Sequence, residues 1–191
     1  MQLRKVNLAC FPVQYQETFY KAVVERKDEG LCKFAYWNGF VIGAACSRIE
    51  AIPEKEETEE KLEQQQQQSP PPKQDNNNKK HKKGAVAAAS ATPSTPVKKR
   101  IYIMTLGVLA AYRGREIGTQ LIQSIFDHYE ANKENAEYKD VEEIVLHVQI
   151  SNEDAIKFYT TRFGFTQGEM VENYYRRIDP PHCYKLYKKL R

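Results

Sequence analysis

The chain has no long apolar run. No stretch approaches the roughly 18 consecutive apolar residues of a membrane-spanning helix. The N-terminus also lacks the uninterrupted apolar segment of a secretory signal peptide. These absences favour an intracellular, soluble protein with no membrane partner.

Cysteine is scarce and widely spaced. The four cysteines, Cys10, Cys32, Cys46 and Cys183, include no Cys-x-x-Cys pair. This spacing fits neither a zinc site nor a dense disulfide framework, and it favours reduced, buried thiols. We therefore expect no bound metal.

Neither sign of charge dominates. The formal net charge is +4 over 191 residues, of which 41% are hydrophobic. A mild positive charge is compatible with an anionic cofactor or a ribosomal surface, but it does not indicate specific DNA binding. The length fits one domain with a core, plus an unstructured part.

Aromatic residues are missing from one long segment. Between Ile49 and Arg100 there is no Phe, Tyr or Trp, although the chain has 12 tyrosines and 8 phenylalanines. Glu-, Gln-, Pro- and Lys-rich tracts occur there instead, and they bury too little apolar surface to offset the entropy of ordering. Residues 51–97 are therefore predicted to be a disordered insert within a single domain spanning 1–191. Its basic cluster at 79–83 could contact a polyanion such as ribosomal RNA, but its composition favours a solvated linker.

The flanking segments alternate between helical and strand patterns. Asn38-Gly39 separates two β-prone runs and predicts a hairpin, because both residues tolerate positive φ. The predicted elements, in order, are helices at 2–9 and 16–26, strands at 31–37, 40–49 and 100–108, a helix at 117–129, a strand at 143–149, a helix beginning near 151–152, and strands at 163–170 and 182–190. This order predicts an α/β domain with a mixed sheet.

A basic turn lies between a predicted strand and a predicted helix. Residues 109–119 contain two glycines and the cations Arg113 and Arg115. Backbone amides at a helix N-terminus favour an anion, so the turn is a candidate phosphate site. It matches neither a Walker loop nor a dinucleotide fingerprint.

Two side chains on the predicted strands and two on the helix that follows are candidate site residues. If the strands at 100–108 and 143–149 are neighbours, Tyr102 and His147 could face one pocket, and the next helix carries Asn152 and Tyr159. A histidine titrates near neutral pH. A lone strand histidine is more often a packed core residue, and spacing alone leaves both interpretations open.

These motifs resemble a known family. Arg-Gly-Arg-Glu-Ile-Gly at 113–118 is similar to the R/Q-x-x-G-x-G/A signature of GNAT acetyltransferases. Further blocks at 11–15, 100–107, 146–153 and 173–178 resemble San-type N-alpha-acetyltransferases, the catalytic subunits of the N-terminal acetyltransferase E complex. The resemblance implies the GNAT fold, with a mixed central sheet flanked by helices, and transfer of acetyl from acetyl-CoA to protein N-terminal α-amines.

The resemblance also implies roles for the candidate residues. Tyr102 and His147 would be general bases acting through an ordered water, and Tyr159 would protonate the departing thiolate. The 106–108 backbone would pair with the pantetheine arm and polarise the thioester carbonyl. The implied cofactor-binding residues are Leu106, Gly107, Val108, Arg113, Gly114, Arg115, Glu116, Ile117, Gly118, Thr119, Asn152 and Tyr159.

The implied substrates are polypeptide N-termini that begin with Met followed by a hydrophobic residue such as Leu. An apolar, aromatic groove suits that side chain. The implied groove residues are Phe11, Pro12, Val13, Tyr15, Met104, Tyr174, Tyr175 and Ile178. Implied partners are nascent chains, the auxiliary and catalytic subunits of the N-terminal acetyltransferase A complex, and the ribosome. The implied location is the cytoplasm, with the nucleus as a second compartment.

Three features depart from the family pattern. Glu116 replaces the first signature glycine, and a carboxylate near a phosphate disfavours binding unless it points outward. The family's first strand precedes the helix that ends before Phe11-Pro12, whereas this chain opens almost inside that helix. We therefore expect either a start further upstream or a sheet that lacks an edge strand. The 51–97 insert stands where the family has a short loop.

Two other functions compete with N-terminal acetylation. One is lysine acetylation, which the apolar groove disfavours because an internal lysine has chain on both sides. The other is a weakly active scaffold that docks on the acetyltransferase A complex, and Glu116 is its only support. Retention of Tyr102, His147, Asn152 and Tyr159 favours an enzyme.

Overall fold

A computed structural model describes residues 2–25, 30–53 and 97–191. Most of the predicted insert, at 54–96, lies outside the described residues, so its predicted disorder stays a prediction. The described residues up to Ala51 and from Lys98 onward form one compact unit. No helix in the described ranges is long and apolar enough to cross a membrane.

Helices and strands alternate along the described chain much as the sequence predicts. The two N-terminal helices are separated at Phe11-Pro12, where proline cannot continue the backbone hydrogen bonding. The helices are α1 (Gln2–Cys10), α2 (Glu17–Glu25), α3 (Ile117–Asn132) and α4 (Glu153–Lys157), with a 3₁₀ turn at Ala110–Tyr112 and a π-helical turn at Phe158–Arg162. The strands are β1 (Cys32–Trp37), β2 (Phe40–Ala51), β3 (Lys99–Val108), β4 (Val141–Gln149), β5 (Thr166–Val171) and β6 (Cys183–Lys189).

One predicted boundary is wrong. The strand expected at 163–170 begins at Thr166, because Phe163 still ends the preceding helical segment and Gly164 turns the chain with φ +66°. The end of the helical segment could not be predicted from the sequence, because the π turn adds one residue to the helical repeat.

The strands form one mixed sheet in the order β1-β2-β3-β4-β6-β5. β3 and β4 are parallel, and the other neighbours are antiparallel. Asn38 and Gly39 both have positive φ in the β1–β2 turn, as the hairpin signal predicts. Within the described residues, β1 pairs only with β2 and so forms one edge of the sheet.

Apolar residues cover both faces of the sheet. Alternate β2 residues point to opposite faces, so Ala44 and Cys46 pack with α1 and α2 while Ala45 packs with the cluster that includes α3. Ile122 and Ile125 of α3 are fully buried, and burying one such side chain contributes about 1.5–3 kcal/mol. The sheet is therefore held rigid between helices, and its strand ends can position side chains accurately.

Candidate active site

A cleft opens where β3 and β4 separate. Their pairing joins Lys99–Tyr102 to Val141–Val145, and the described residues show no pairing between the two strands beyond that point. The gap continues into a cavity of about 170 Å³, lined by both strands, by the segment after α1 and by Ile178. Side chains at 102 and 147 flank the point of separation, which brings two residues 45 positions apart into contact.

Three side chains form a hydrogen-bonded chain at this cleft. Tyr102 Oη lies 3.2 Å from His147 Nδ1 and 2.8 Å from Tyr174 Oη. The His147 and Tyr174 rings stack at 4.6 Å with an interplanar angle of 18°. From the sequence, Tyr174 was expected only in the substrate groove. Its contact with Tyr102 was not predicted.

Protonation states limit what each member of this network can do. Burial, followed by the nearby Tyr174, raises the pKa of Tyr102 above its ordinary value, so its hydroxyl stays protonated at neutral pH. Tyr102 can therefore relay a proton but does not hold a negative charge there. If His147 Nδ1–H donates to Tyr102 and Tyr102 donates to Tyr174, the histidine Nε2 can accept a proton. This arrangement suits His147 as the base, with Tyr102 orienting it.

Tyr159 lies deep in the same cleft. Its side chain is 6% exposed, and burial raises the pKa of the phenol above its ordinary value. The hydroxyl therefore keeps its proton at neutral pH. Asn152 lines the same cavity and is the N-cap of α4, where its Oδ1 accepts a hydrogen bond of 3.2 Å from the Ala155 amide. Capping thus uses the carbonyl of Asn152 and leaves its amide nitrogen as a donor.

The far half of β3 offers a backbone edge to the cleft. Leu106, Gly107 and Val108 pair with β2 on one side, while no described strand pairs with them on the side of the gap. Gly107 is needed for close packing here, because an added Cβ would lie 3.0 Å from Cys10 Cβ at the end of α1. The glycine thereby lets the Phe11-Pro12 segment lie against the strand. An extended ligand could add to this edge as a further strand.

The basic turn within 109–119, the candidate phosphate site, leads into the N-terminus of α3. Gly114 has φ +73°, and Arg113 Nε donates to the Val108 carbonyl at 3.0 Å, which holds the turn against β3. The first-turn amides of a helix have no intrahelical partner, and the α3 N-cap makes no side-chain capping bond. A cavity of about 350 Å³ lies beside these amides.

Arg115 differs from the prediction. Its guanidinium lies over the Tyr112 ring at 5.8 Å, and its side chain lines a neighbouring cavity with β1 residues rather than the 350 Å³ cavity. Since successive residues in the turn point in different directions, only one of the two predicted arginine side chains, Arg113, lines the cavity at the helix N-terminus.

Glu116 carries a positive φ of 60° and is the N-cap of α3. Its carboxylate accepts a hydrogen bond from Thr119 Oγ1 at 2.8 Å and forms an ion pair with Arg162. The hydrogen bonds from Arg162 and then Thr119 lower the pKa of the Glu116 carboxyl. Arg162 also lines the 350 Å³ cavity, and sequence reasoning missed it.

The predicted groove residues meet in the same cavity as His147 and Tyr159. Tyr15 packs against Phe11, with ring centroids 6.0 Å apart, and burial raises the pKa of its phenol to about 12. Seven of the eight predicted groove residues line the 170 Å³ cavity, namely Phe11, Pro12, Val13, Tyr15, Met104, Tyr175 and Ile178. The eighth, Tyr174, contacts the cleft through Tyr102 and His147.

Residues 1–165 match the acetyltransferase (GNAT) family. This chain belongs to the GNAT acetyltransferases. The zebrafish (Danio rerio) N-alpha-acetyltransferase 50 is 35% identical over 190 residues, covering 100% of this chain and 82% of the relative. The Drosophila melanogaster probable N-acetyltransferase san is 33% identical, covering 100% and 75%.

A solved structure extends this assignment. Arabidopsis thaliana Naa50 in complex with the bisubstrate analogue CoA-Ac-MVNAL has a TM-score of 0.64 and 32% identity, with 98% of this chain and 90% of the other covered. Within the GNAT family, the chain therefore belongs to the group that contains N-alpha-acetyltransferase 50 and the san acetyltransferase. It is an acetyltransferase, and acetyl-CoA is its co-substrate.

The residues present fit the co-substrate of a GNAT enzyme. The β3 edge without a strand partner fits an extended pantetheine arm, and the uncapped amides of Ile117–Thr119 fit a diphosphate. Five residues beyond the predicted set line the same cavity, namely Tyr112, Asp154, Ala155, Phe158 and Arg162. Periodicity could not identify them, because most lie on a separate helix that tertiary packing brings to the turn.

Proposed function

We propose that this GNAT enzyme acetylates the α-amine of proteins that begin with Met followed by a hydrophobic residue. The observation that carries the proposal is the position of the His147–Tyr102–Tyr174 network. His147 lines the same 170 Å³ cavity as the apolar groove residues and Leu106 of the open β3 edge, and both tyrosines contact His147 directly. A neutral amine held there has a base and an acyl donor within one cleft, so a direct transfer needs no enzyme nucleophile.

The proposed roles follow from protonation and position. Acetyl-CoA, when bound, supplies an acetyl group activated as a thioester. His147 removes the proton from the substrate ammonium, directly or through a water, since only the neutral amine is nucleophilic. The Leu106–Val108 amides stabilise negative charge on the carbonyl oxygen. Tyr159, protonated at neutral pH, donates its proton to the thiolate that leaves.

The groove supports the substrate preference. Phe11, Pro12, Val13 and Ile178 provide apolar contacts that suit an unbranched methionine side chain. The Tyr15 and Tyr175 hydroxyls remain protonated at neutral pH, because burial raises the pKa of both phenols. They can therefore donate hydrogen bonds to peptide carbonyls without placing a charge in the groove.

The test is acetyl transfer to short peptides, read by mass spectrometry. A peptide beginning Met-Leu is compared with the same peptide whose α-amine is blocked and which carries an internal lysine. We expect product on the free α-amine only, and about 10²–10⁴-fold slower transfer by His147→Gln. Binding of coenzyme A should be retained in that variant, because His147 does not line the cavity at the N-terminus of α3.

Other outcomes would contradict the proposal. Product on the blocked peptide alone would mean that lysine is the main acceptor. No product on either peptide at saturating acetyl-CoA would mean that the purified chain acts as a scaffold or needs a partner. A His147→Gln variant with unchanged turnover would remove the proposed base.

The setting of this activity is also a proposal. We infer that the enzyme works in the cytoplasm on nascent chains, together with the subunits of the N-terminal acetyltransferase A complex at the ribosome, and that the nucleus is a second location. The support is the substrate, since a protein N-terminus is most accessible as it leaves the ribosome, together with the net charge of +4. Co-sedimentation with ribosomes measures the proposed association.

A further inference from the structure

Glu116 occupies a position at which the GNAT signature has glycine, and it keeps a glycine-like backbone. Its φ and ψ are 60° and 9°, in the left-handed region that non-glycine residues rarely adopt. Such a conformation persists only where surrounding contacts hold it. Neighbouring side chains must therefore hold Glu116, whose carboxylate lies at the cavity beside the N-terminus of α3.

Two side chains hold the Glu116 carboxylate. Thr119 Oγ1 donates to Glu116 Oε2 at 2.8 Å, and Arg162 Nη1 pairs with the same oxygen. Arg162 Nη1 also lies 3.2 Å from Thr119 Oγ1, so the three groups form a closed triangle. All three line the 350 Å³ cavity beside Gly118.

The position of Arg162 depends on the π turn at Phe158–Arg162. A π turn closes its hydrogen-bonded ring with one more residue than an α turn, and this rotates the residues that follow. Thr160 Oγ1 donates to the Ile156 carbonyl at 2.9 Å within this segment. The Phe158 ring lies under Gly118, where an added Cβ would be 3.6 Å away. The turn thus packs directly against the start of α3.

We propose that Arg162 is a positioning residue that neutralises Glu116, so that the turn accepts the diphosphate of acetyl-CoA although a carboxylate replaces the signature glycine. A carboxylate without a partner would repel the phosphates, and a paired one presents little net charge. The inference rests on acetyl-CoA binding as described above. It concerns only these two side chains, and neither is part of the proposed proton-transfer network.

The test is a double-mutant cycle on the affinity for coenzyme A, measured by calorimetry. Arg162→Ala should weaken binding about tenfold in the unchanged chain, since it leaves Glu116 unpaired beside the phosphates. In a Glu116→Gly background the same change should alter the affinity less than about threefold, because there is no carboxylate left to neutralise. Arg162→Lys should restore most of the affinity, and added salt should reduce the defect of Arg162→Ala.

A matched control is Lys157→Ala, which removes an exposed cation from the same helical segment and should leave the affinity unchanged. Thermal unfolding of each variant without ligand reports whether it folds, and Arg162→Gln replaces Arg162→Ala if the latter does not. Equal losses in both backgrounds would show that Arg162 binds the phosphates itself, and no loss in either would show that it is irrelevant. Either result overturns the inference but not the activity. An unchanged chain that fails to bind coenzyme A would overturn both.

Discussion

At the scale of single residues, burial controls which groups of the site can carry charge. Tyr102, Tyr159 and Tyr175 all lie in or beside the cleft, and for each the largest cause of a raised pKa is burial. These phenols therefore stay protonated at neutral pH and can donate hydrogen bonds. His147 is the proposed base, because histidine is the side-chain type whose ordinary pKa lies near neutral pH.

The raised tyrosine pKa values predict how stability depends on pH. Tyr159 ionises at its ordinary pKa of 10.0 when unfolded but at a higher pKa when folded. The unfolded chain therefore loses that proton first, and the free energy of unfolding falls as pH rises above about 10, by up to about 1.4 kcal/mol per pH unit for each such group. Tyr159→Phe should show a shallower fall between pH 9 and 11.

Urea unfolding at several pH values measures this effect. Tyr36→Phe is the matched control, because that ring is 58% exposed, and it should follow the unchanged chain. A Tyr159→Phe variant with the same decline would contradict the assigned cause. The variant should also turn over more slowly at pH 7, since it has no proton to give to the thiolate.

At the scale of secondary-structure elements, the side-chain amide of Asn152 stabilises the start of α4 and is predicted to bind the co-substrate. Asn152 Oδ1 caps α4 through the Ala155 amide, which leaves the nitrogen of the same side chain for a ligand. The acidic residues Glu153 and Asp154 in the first turn favour the same helix end. The cap and the ligand contact can therefore be separated by substitution.

Asn152→Asp keeps the capping oxygen but removes the donor. We expect its free energy of unfolding to stay within about 0.5 kcal/mol of the unchanged chain, while Asn152→Ala should lose about 1 kcal/mol. Both variants should bind coenzyme A more weakly, which calorimetry measures. An aspartate variant with full affinity would mean that this amide makes no contact with the co-substrate.

At the scale of the whole molecule, the predicted insert joins two paired strand ends. Ala51 at the end of β2 is the antiparallel partner of Lys99 at the start of β3. A short turn could therefore connect these strands without changing their register. This geometry explains how a segment without aromatic residues can interrupt the chain while the sheet remains continuous.

Replacing residues 54–96 by a short Gly-Ser turn tests the predicted disorder. If the insert is a flexible loop, shortening it should raise the free energy of unfolding by about 2 kcal/mol through reduced loop-closure entropy. Transfer to the Met-Leu peptide and co-sedimentation with ribosomes should both persist, as expected for a solvated linker. Loss of stability would show that the insert packs on the domain, and loss of ribosome association alone would favour the RNA contact of the basic cluster at 79–83.

Local features of the sequence were enough to predict most helices and strands and to predict the family. Asn38-Gly39 predicted the hairpin because turn chemistry acts between neighbours, and the apolar period of 117–129 predicted α3. The blocks around Tyr102, His147 and Asn152 predicted the GNAT site. The boundary near Phe163 was missed, because a π turn leaves no periodic signal.

Only the tertiary structure decided which distant side chains meet. Tyr102 and Tyr174 are 72 residues apart, and Glu116 and Arg162 are 46 apart. The first contact depends on the separation of β3 from β4, and the second on a π turn packed against α3. Such contacts arise from the summed packing of the sheet and its helices, whereas residue type and spacing act only along the chain. The sequence by itself therefore determined the enzyme class and named candidate site residues, and the fold decided that Tyr174 contacts Tyr102 and that Arg162 pairs with Glu116.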